Sequence, residues 1–251
     1  MILDEIVRRT EKRVARLPAT FPESPSRPRV SLAGAIRSSS GKNAVIAEIK
    51  CASPSSGIIR RNVDMAMMAG VLKDGGCTAI SVLTEPYFFG GSGQDIARVK
   101  SAVAVPVLRK DFIVDERQIA ESRALGADAV LLIAAVLGKK LPAFVDIAQE
   151  YGLEPLVETH TGDEVEAALA TGAELIGINN RNLSTMSIDR STTRLLSGQV
   201  RESGRLVVCE SGMRSADDVR ELKSFCDAFL IGSSIMSSRH PKKTLEEFVC
   251  A

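Results

Sequence analysis

Eight short runs rich in Val, Ile, Leu and Ala recur at about 44–49, 78–83, 103–109, 128–134, 153–158, 174–179, 205–210 and 227–231, each separated from the next by helix-length chain. Parallel strands need a crossover connection, and strands covered on both faces read as continuous apolar runs. The alternation therefore predicts parallel β/α units. Stretches at 65–73, 116–125, 141–151, 163–171 and 215–225 carry helical patterning and occupy spacers between them. Eight units in one orientation imply closure into a (β/α)8 TIM barrel, an α/β fold.

Internal echoes support repeated units. L-G-A-D-A-V-L-L-I (125–133) resembles T-G-A-E-L-I-G-I (171–178), and G-G-C-T-A-I-S-V-L (75–83) is a looser third copy. Each places a glycine where a helix ends before a strand, a position that favours a left-handed backbone. Ahead of the first unit, Ile2, Ile6, Val7 and Val14 are spaced for a helix over about 3–17, and Pro18, Pro22, Pro25 and Pro28 follow. The expected organisation is one barrel domain over 1–251: an N-terminal helical extension and connector (about 1–40), a barrel core (about 44–238) and a final helix (239–251).

Composition narrows the partners. Thirty-two basic and 31 acidic side chains leave a net charge of +1, so no global field invites nucleic acid or an anionic membrane. The five cysteines (Cys51, Cys77, Cys209, Cys226, Cys250) lack metal-ligand spacing and read as reduced thiols of a cytoplasmic protein. No metal site and no membrane span are expected.

In such a barrel the reactive face lies at the C-terminal ends of the strands. There the chain places Glu48 and Lys50, Lys110, Glu158, Asn179 with Arg181, Glu210 with Ser211 and Gly212, and Gly232 with Ser233 and Ser234. Alternation puts Glu48 and Lys50 on the face of Ile46, Lys110 on that of Leu108 and Glu158 on that of Leu156, so two carboxylates and two ammonium groups converge on the barrel axis. A structural ion-pair network is the alternative. Burying several charges without a task carries a desolvation cost of several kcal/mol per ion, which favours chemistry. Lys110, at the mouth of an apolar segment, is expected to have its pKa lowered by desolvation and to donate protons near neutrality. The small residues after strands seven and eight suit a phosphate.

The motifs E-I-K-C-A-S-P-S-S-G (48–57), L-R-K-D-F-I-V (108–114), E-P-L-V-E (154–158), G-I-N-N-R-N-L (177–183), E-S-G-M (210–213) and L-I-G-S-S-I-M (230–236) resemble those of indole-3-glycerol phosphate synthase, in the family's order and spacing, from about residue 30 to 238. The resemblance implies a cofactor-free carboxy-lyase of tryptophan biosynthesis. It closes and decarboxylates 1-(2-carboxyphenylamino)-1-deoxyribulose 5-phosphate to indole-3-glycerol phosphate, releasing water. Lys110 then matches the general acid, and Glu158, Glu48 and Lys50 the other proton-transfer groups. Asn179 and Ser211 join that catalytic set. Ser53, Phe88, Arg181 and Glu210 contact substrate, with Phe89 as the alternative aromatic. Gly212, Gly232 and Ser233, together with Ser211, hold the phosphate. The partner is this phosphorylated small molecule, and the chain is expected as a monomer or weak homo-oligomer.

Three positions depart from the family pattern. Cys51 replaces a more usual basic residue, Asn182 stands where an aspartate is expected after Arg181, and Gly90-Gly91 lengthens the loop after strand two. His160 and His240 have no motif partner and read as surface or loop residues. Phosphoribosylanthranilate isomerase, a barrel with similar phosphate turns, would carry a cysteine and aspartate pair in place of Lys110 and Glu158. A non-catalytic phosphometabolite-binding protein would have lost them.

Overall fold

The apolar runs become parallel strands in the computed structural model, which describes residues 2–22, 29–183 and 185–251. They are β1 (Ala44–Ile49), β4 (Ala79–Leu83), β5 (Val107–Lys110), β6 (Ala129–Ile133), β7 (Glu154–Thr159), β8 (Leu175–Asn179), β9 (Leu206–Glu210) and β10 (Ala228–Ile231). A small hairpin, β2 (Ala52–Ser53) with β3 (Gly57–Ile58), follows β1. The eight longer strands close in the order β1-β10-β9-β8-β7-β6-β5-β4, with β1 pairing in parallel to both β4 and β10. Ladder pairing all round leaves the barrel no free edge.

The period-two alternation divides the core into two layers. Ile46, Leu108, Leu131, Leu156, Val208 and Leu230 pack inside the barrel. Val45, Ala47, Ile49, Val107, Val130 and Val157 face the helices. Strand β5 begins four residues later than the apolar run suggests, because Pro106 has no N–H for a ladder; its carbonyl instead accepts from Ile80. Lys110 is the last residue of the strand, as expected.

Helices fill the expected spacers, for example Met65–Asp74, Glu116–Ala124 and Leu141–Glu150. Asp115 and Gln118 form a reciprocal capping box at the start of the second of these. Gly76 and Gly126 adopt the left-handed conformation expected of them (φ 87° and 90°). Gly172 does not: its carbonyl accepts from Gln149 Nε2 at 2.9 Å, and an added Cβ would press on that side chain.

The two ends of the barrel are closed by chain that precedes it. Helix α2 (Leu32–Arg37) is tied to the start of β7, where the Glu154 carboxylate accepts from the Leu32 and Ala33 amides at 2.6 and 2.9 Å. Helix α1 (Ile2–Val14) lies over the opposite end, with Ile6 buried in the same cluster as Phe112 and Ile133. Burying one such side chain contributes about 1.5–3 kcal/mol. An ion pair fixes the far turn of α1: Arg13 Nη2 lies 2.8 and 2.9 Å from the two Asp111 oxygens. Pro25 and Pro28 of the connector lie outside the described residues.

Arg109 and Asp111 point away from the axis and brace the wall. Arg109 reaches Asp111 at 3.0 Å, Glu121 at 2.7 Å and Ser122 Oγ at 3.1 Å, and Thr84 donates to Asp111 at 2.8 Å. Burial would raise the Asp111 pKa, but Arg109 and Arg13 outweigh it and hold the carboxylate below its ordinary range. Of the triplet Arg109-Lys110-Asp111, Arg109 and Asp111 are tied into this network, and Lys110 faces the cavity, which Asp111 also borders.

Candidate active site

Three strand ends bring one cation and two carboxyl groups into contact. Lys110 Nζ, from β5, lies 2.9 Å from Glu158 Oε2 on β7 and 2.8 Å from Glu210 Oε2 on β9. Glu48, at the end of β1, pairs with Lys50 at 2.7 Å. All three glutamates are nearly inaccessible, and Glu48 Oε2 and Glu210 Oε1 have no hydrogen-bond partner. A buried polar atom left unpaired in a folded protein has a cause, and a catalytic role is one of them. Room for them comes from two glycines: a Cβ on Gly177 would collide with Glu210, and one on Gly232 would collide with Glu48.

The electrostatics reverse the expectation for Lys110. Burial does pull its pKa down, but Glu158, Glu210 and Glu48 outweigh that and hold it above the ordinary lysine range. The carboxylates converge from segments far apart in sequence, so a local reading of the apolar strand misses them. The two carboxyls sharing Lys110 then separate. Burial raises the Glu158 pKa, but Lys110, His160 and Asn179 outweigh it and keep Glu158 well below the usual carboxylate range. Burial first, and repulsion from Glu158 and Glu48 after it, push Glu210 up to about 7 against the pull of Lys110. Environments that drive neighbouring carboxyls apart in this way distinguish acid from base.

One cavity holds Glu48, Lys50, Ser53, Lys110, Glu158, Asn179, Arg181, Glu210, Ser211, Gly212, Gly232 and Ser233 together. Asn179 Nδ2 donates to Glu158 Oε1 at 2.9 Å, and its own Oδ1 accepts from the Arg181 amide at 3.0 Å. Asn182 leaves Arg181 a defined course, since the guanidinium donates to the Met186 carbonyl at 2.9 Å across the turn that Asn182 and Met186 close. Ser211 and Gly212 both have positive φ (65° and 94°), and Ser234 Oγ donates to the Met213 carbonyl at 2.6 Å, which ties the two small-residue turns together.

Two sequence expectations are corrected. Phe88 does not line the cavity; its ring lies 5.4 Å from the Arg9 guanidinium, whereas Phe89 enters and packs 6.1 Å from Phe112. The loop is set by Glu85, whose carboxylate accepts from the amides of Tyr87, Phe88 and Phe89, and by Gly91, where a Cβ would strike the Leu83 carbonyl. His240 is exposed and His160 lies in the loop after β7, both as expected, but the His160 ring is not at the surface: it is 12% exposed and lies between Glu158 and Glu164. Residues missed altogether include Ile2, Leu3 and Ile6 of α1, with Phe112 and Leu131, which form the apolar wall. The adjacency of Phe112 to Lys110 was the available signal.

Comparison with known proteins agrees with this geometry. The family model described as "Indole-3-glycerol phosphate synthase" matches residues 3–248. The indole-3-glycerol phosphate synthase of Thermoanaerobacter sp. strain X514 is 42% identical over 254 residues, covering 99% of this chain and 97% of the relative. That of Caldanaerobacter subterraneus subsp. tengcongensis is 49% identical over 210 residues, covering 83% and 81%. Among solved structures, tryptophan synthase from M. tuberculosis superposes with a TM-score of 0.64 at 13% identity, covering 87% of this chain and 98% of that one, a likeness of fold alone. With its barrel and full-length match to that model and those relatives, the chain belongs to the indole-3-glycerol phosphate synthase family.

Proposed function

We propose that the Lys110–Glu158–Glu210 cluster, with Glu48 and Lys50 beside it, performs the proton transfers of the indole-3-glycerol phosphate synthase reaction. The observation that carries this reading is one ammonium group within 2.9 Å of two buried carboxyls at the floor of the cavity. Attack of the aromatic carbon on the sugar ketone places negative charge on the carbonyl oxygen. Lys110 meets that charge with a hydrogen bond and then a proton, in a site where water no longer competes. Its firmly held proton is released only to a stronger base, which a developing alkoxide is.

Loss of the carboxylate as neutral carbon dioxide leaves one negative charge fewer on the product. Each turnover therefore takes up a proton. Departure of the hydroxyl as water needs a donor, and rearomatisation needs an acceptor. Glu210, protonated up to about 7, is suited to donate, and Glu158, held ionised, to accept. Glu48 is the second open carboxyl, with Lys50 as its cation. Asn179 orients Glu158. Arg181 and Lys50 meet the substrate's anionic groups, while Ser211, Gly212, Gly232 and Ser233 receive the phosphate. Phe89 and Phe112 offer the aromatic ring an apolar slot, and Ser53 lies at its edge. The chain is read as working in the cytoplasm, as a monomer or weak homo-oligomer. Among the described residues no helix is long and apolar enough to cross a membrane.

The test is the pH dependence of kcat/KM, which reports groups of the free enzyme. It is expected to fall as pH rises through about 7, where Glu210 loses its proton. In Glu210→Gln the profile is low and flat over that range. A parent profile with no fall between about pH 6 and 8 removes Glu210 as the donor.

A further inference from the structure

His160 is a buried titratable group behind Glu158, just outside the residues that line the cavity, that the proposed chemistry leaves without a task. It follows Glu158 by two residues on β7 and the loop after it, so both side chains lie on one face. Its Nδ1 lies 3.2 Å from Glu164 Oε2, and that same oxygen accepts from the His160 amide at 2.7 Å. Glu164 sits in the first turn of the helix Gly162–Leu169 and fixes the ring from outside. The other nitrogen, Nε2, lies 3.3 Å from Glu158 Oε1, close enough for an ion pair although not aligned for a hydrogen bond. Glu158 is thus held on Oε1 by Asn179 and His160 and on Oε2 by Lys110, whereas Glu210 is held by Lys110 alone and has an open Oε1.

We propose that His160 is a positioning residue for the reaction: anchored by Glu164, its ring holds the negative charge of the Lys110-bridged carboxyl pair on Glu158, and so leaves the proton on Glu210. The proposal rests on the proton-transfer roles given above to those two carboxyls. The groups facing Glu158 are Lys110 from β5, Asn179 from β8, Glu210 from β9, Glu48 from β1 and His160 itself. Only Lys110 and His160 among them are cationic. The two glutamates around the ring keep it protonated: burial lowers the His160 pKa, but Glu158 and Glu164 outweigh it and raise it to about 10. Without the imidazolium, a single proton is divided between the two carboxyls. Both also become harder to ionise, because an opposite charge has gone.

The experiment compares kcat/KM against pH for the parent, His160→Gln and His160→Lys, each checked for fold by circular dichroism, with His160→Asn as a second neutral replacement should the glutamine chain fail to fold. In the neutral variants the plateau below the fall drops by about ten-fold, and the fall moves to higher pH by about one unit. His160→Lys, which keeps a cation there, restores the parent position of the fall. The substrate's own ionisations are common to all the chains and cancel. A lower plateau with the fall unmoved makes His160 a structural brace and overturns the proposal, as does a profile identical to the parent's. A parent that turns over no substrate overturns the roles of the carboxyls themselves, and this inference with them.

Discussion

Lys110→Ala lowers turnover by at least about 10²-fold, the usual scale for loss of a general acid, and leaves the barrel folded. The side chain leaves the end of β5 toward the cavity and meets Glu158 and Glu210, while the packing of the wall is carried by its neighbours Arg109 and Asp111. Removing the ammonium group leaves Glu210 without its cation, while Glu158 keeps His160. A buried carboxyl left in this way neutralises by taking up a proton rather than breaking the fold. The folded-state pKa of Glu210, already raised in the parent, then stands further above its unfolded value, so the variant keeps its stability below the ordinary carboxyl pKa and loses it as pH rises through the raised value. Turnover by indole emission, together with denaturation midpoints at pH 5 and 8, reads both effects. Turnover near the parent's would remove Lys110 from the mechanism.

Gly232→Asp is the second large effect, with kcat/KM lower by about 10²-fold or more. A Cβ at this position falls 3.0 Å from the Glu48 Cβ and 3.1 Å from its Cδ, and closer still to Oε1. Any side chain there displaces Glu48 from Lys50, and aspartate adds a negative charge to the turn assigned to the phosphate. Gly232→Ala separates the two causes. The alanine variant is expected to lose chiefly kcat through Glu48, and the aspartate variant to lose affinity for the phosphorylated product as well. Titration of both variants with that product is the check; parent affinity in Gly232→Asp would take the phosphate away from this turn.

The barrel was legible because its signals are local. Each strand is a short apolar run, and parity along it separated Ile46, Glu48 and Lys50 from Val45 and Ala47. The same rule brings Lys110 and Glu158 to the axis. What escaped depends on contacts across the chain. The upward shift of Lys110 needs Glu158 and Glu210, 48 and 100 residues away. Phe89 rather than Phe88 enters the cavity because Glu85 gathers three successive amides. The helix Ser191–Glu202 gave little apolar signal, since its buried face is Thr193, Ser197 and Val200, with Thr193 donating to Asn180 at 2.8 Å. The parity that placed Glu158 also applied to His160, and only the absence of a motif around the histidine hid it.

The most direct test of the account is to add 1-(2-carboxyphenylamino)-1-deoxyribulose 5-phosphate to the purified chain, with no metal or cofactor supplied, and to follow indole fluorescence. Sustained emission over many turnovers, abolished by Lys110→Ala, is the predicted result. Substrate that binds and yields no indole would contradict the assignment of the cluster to ring closure.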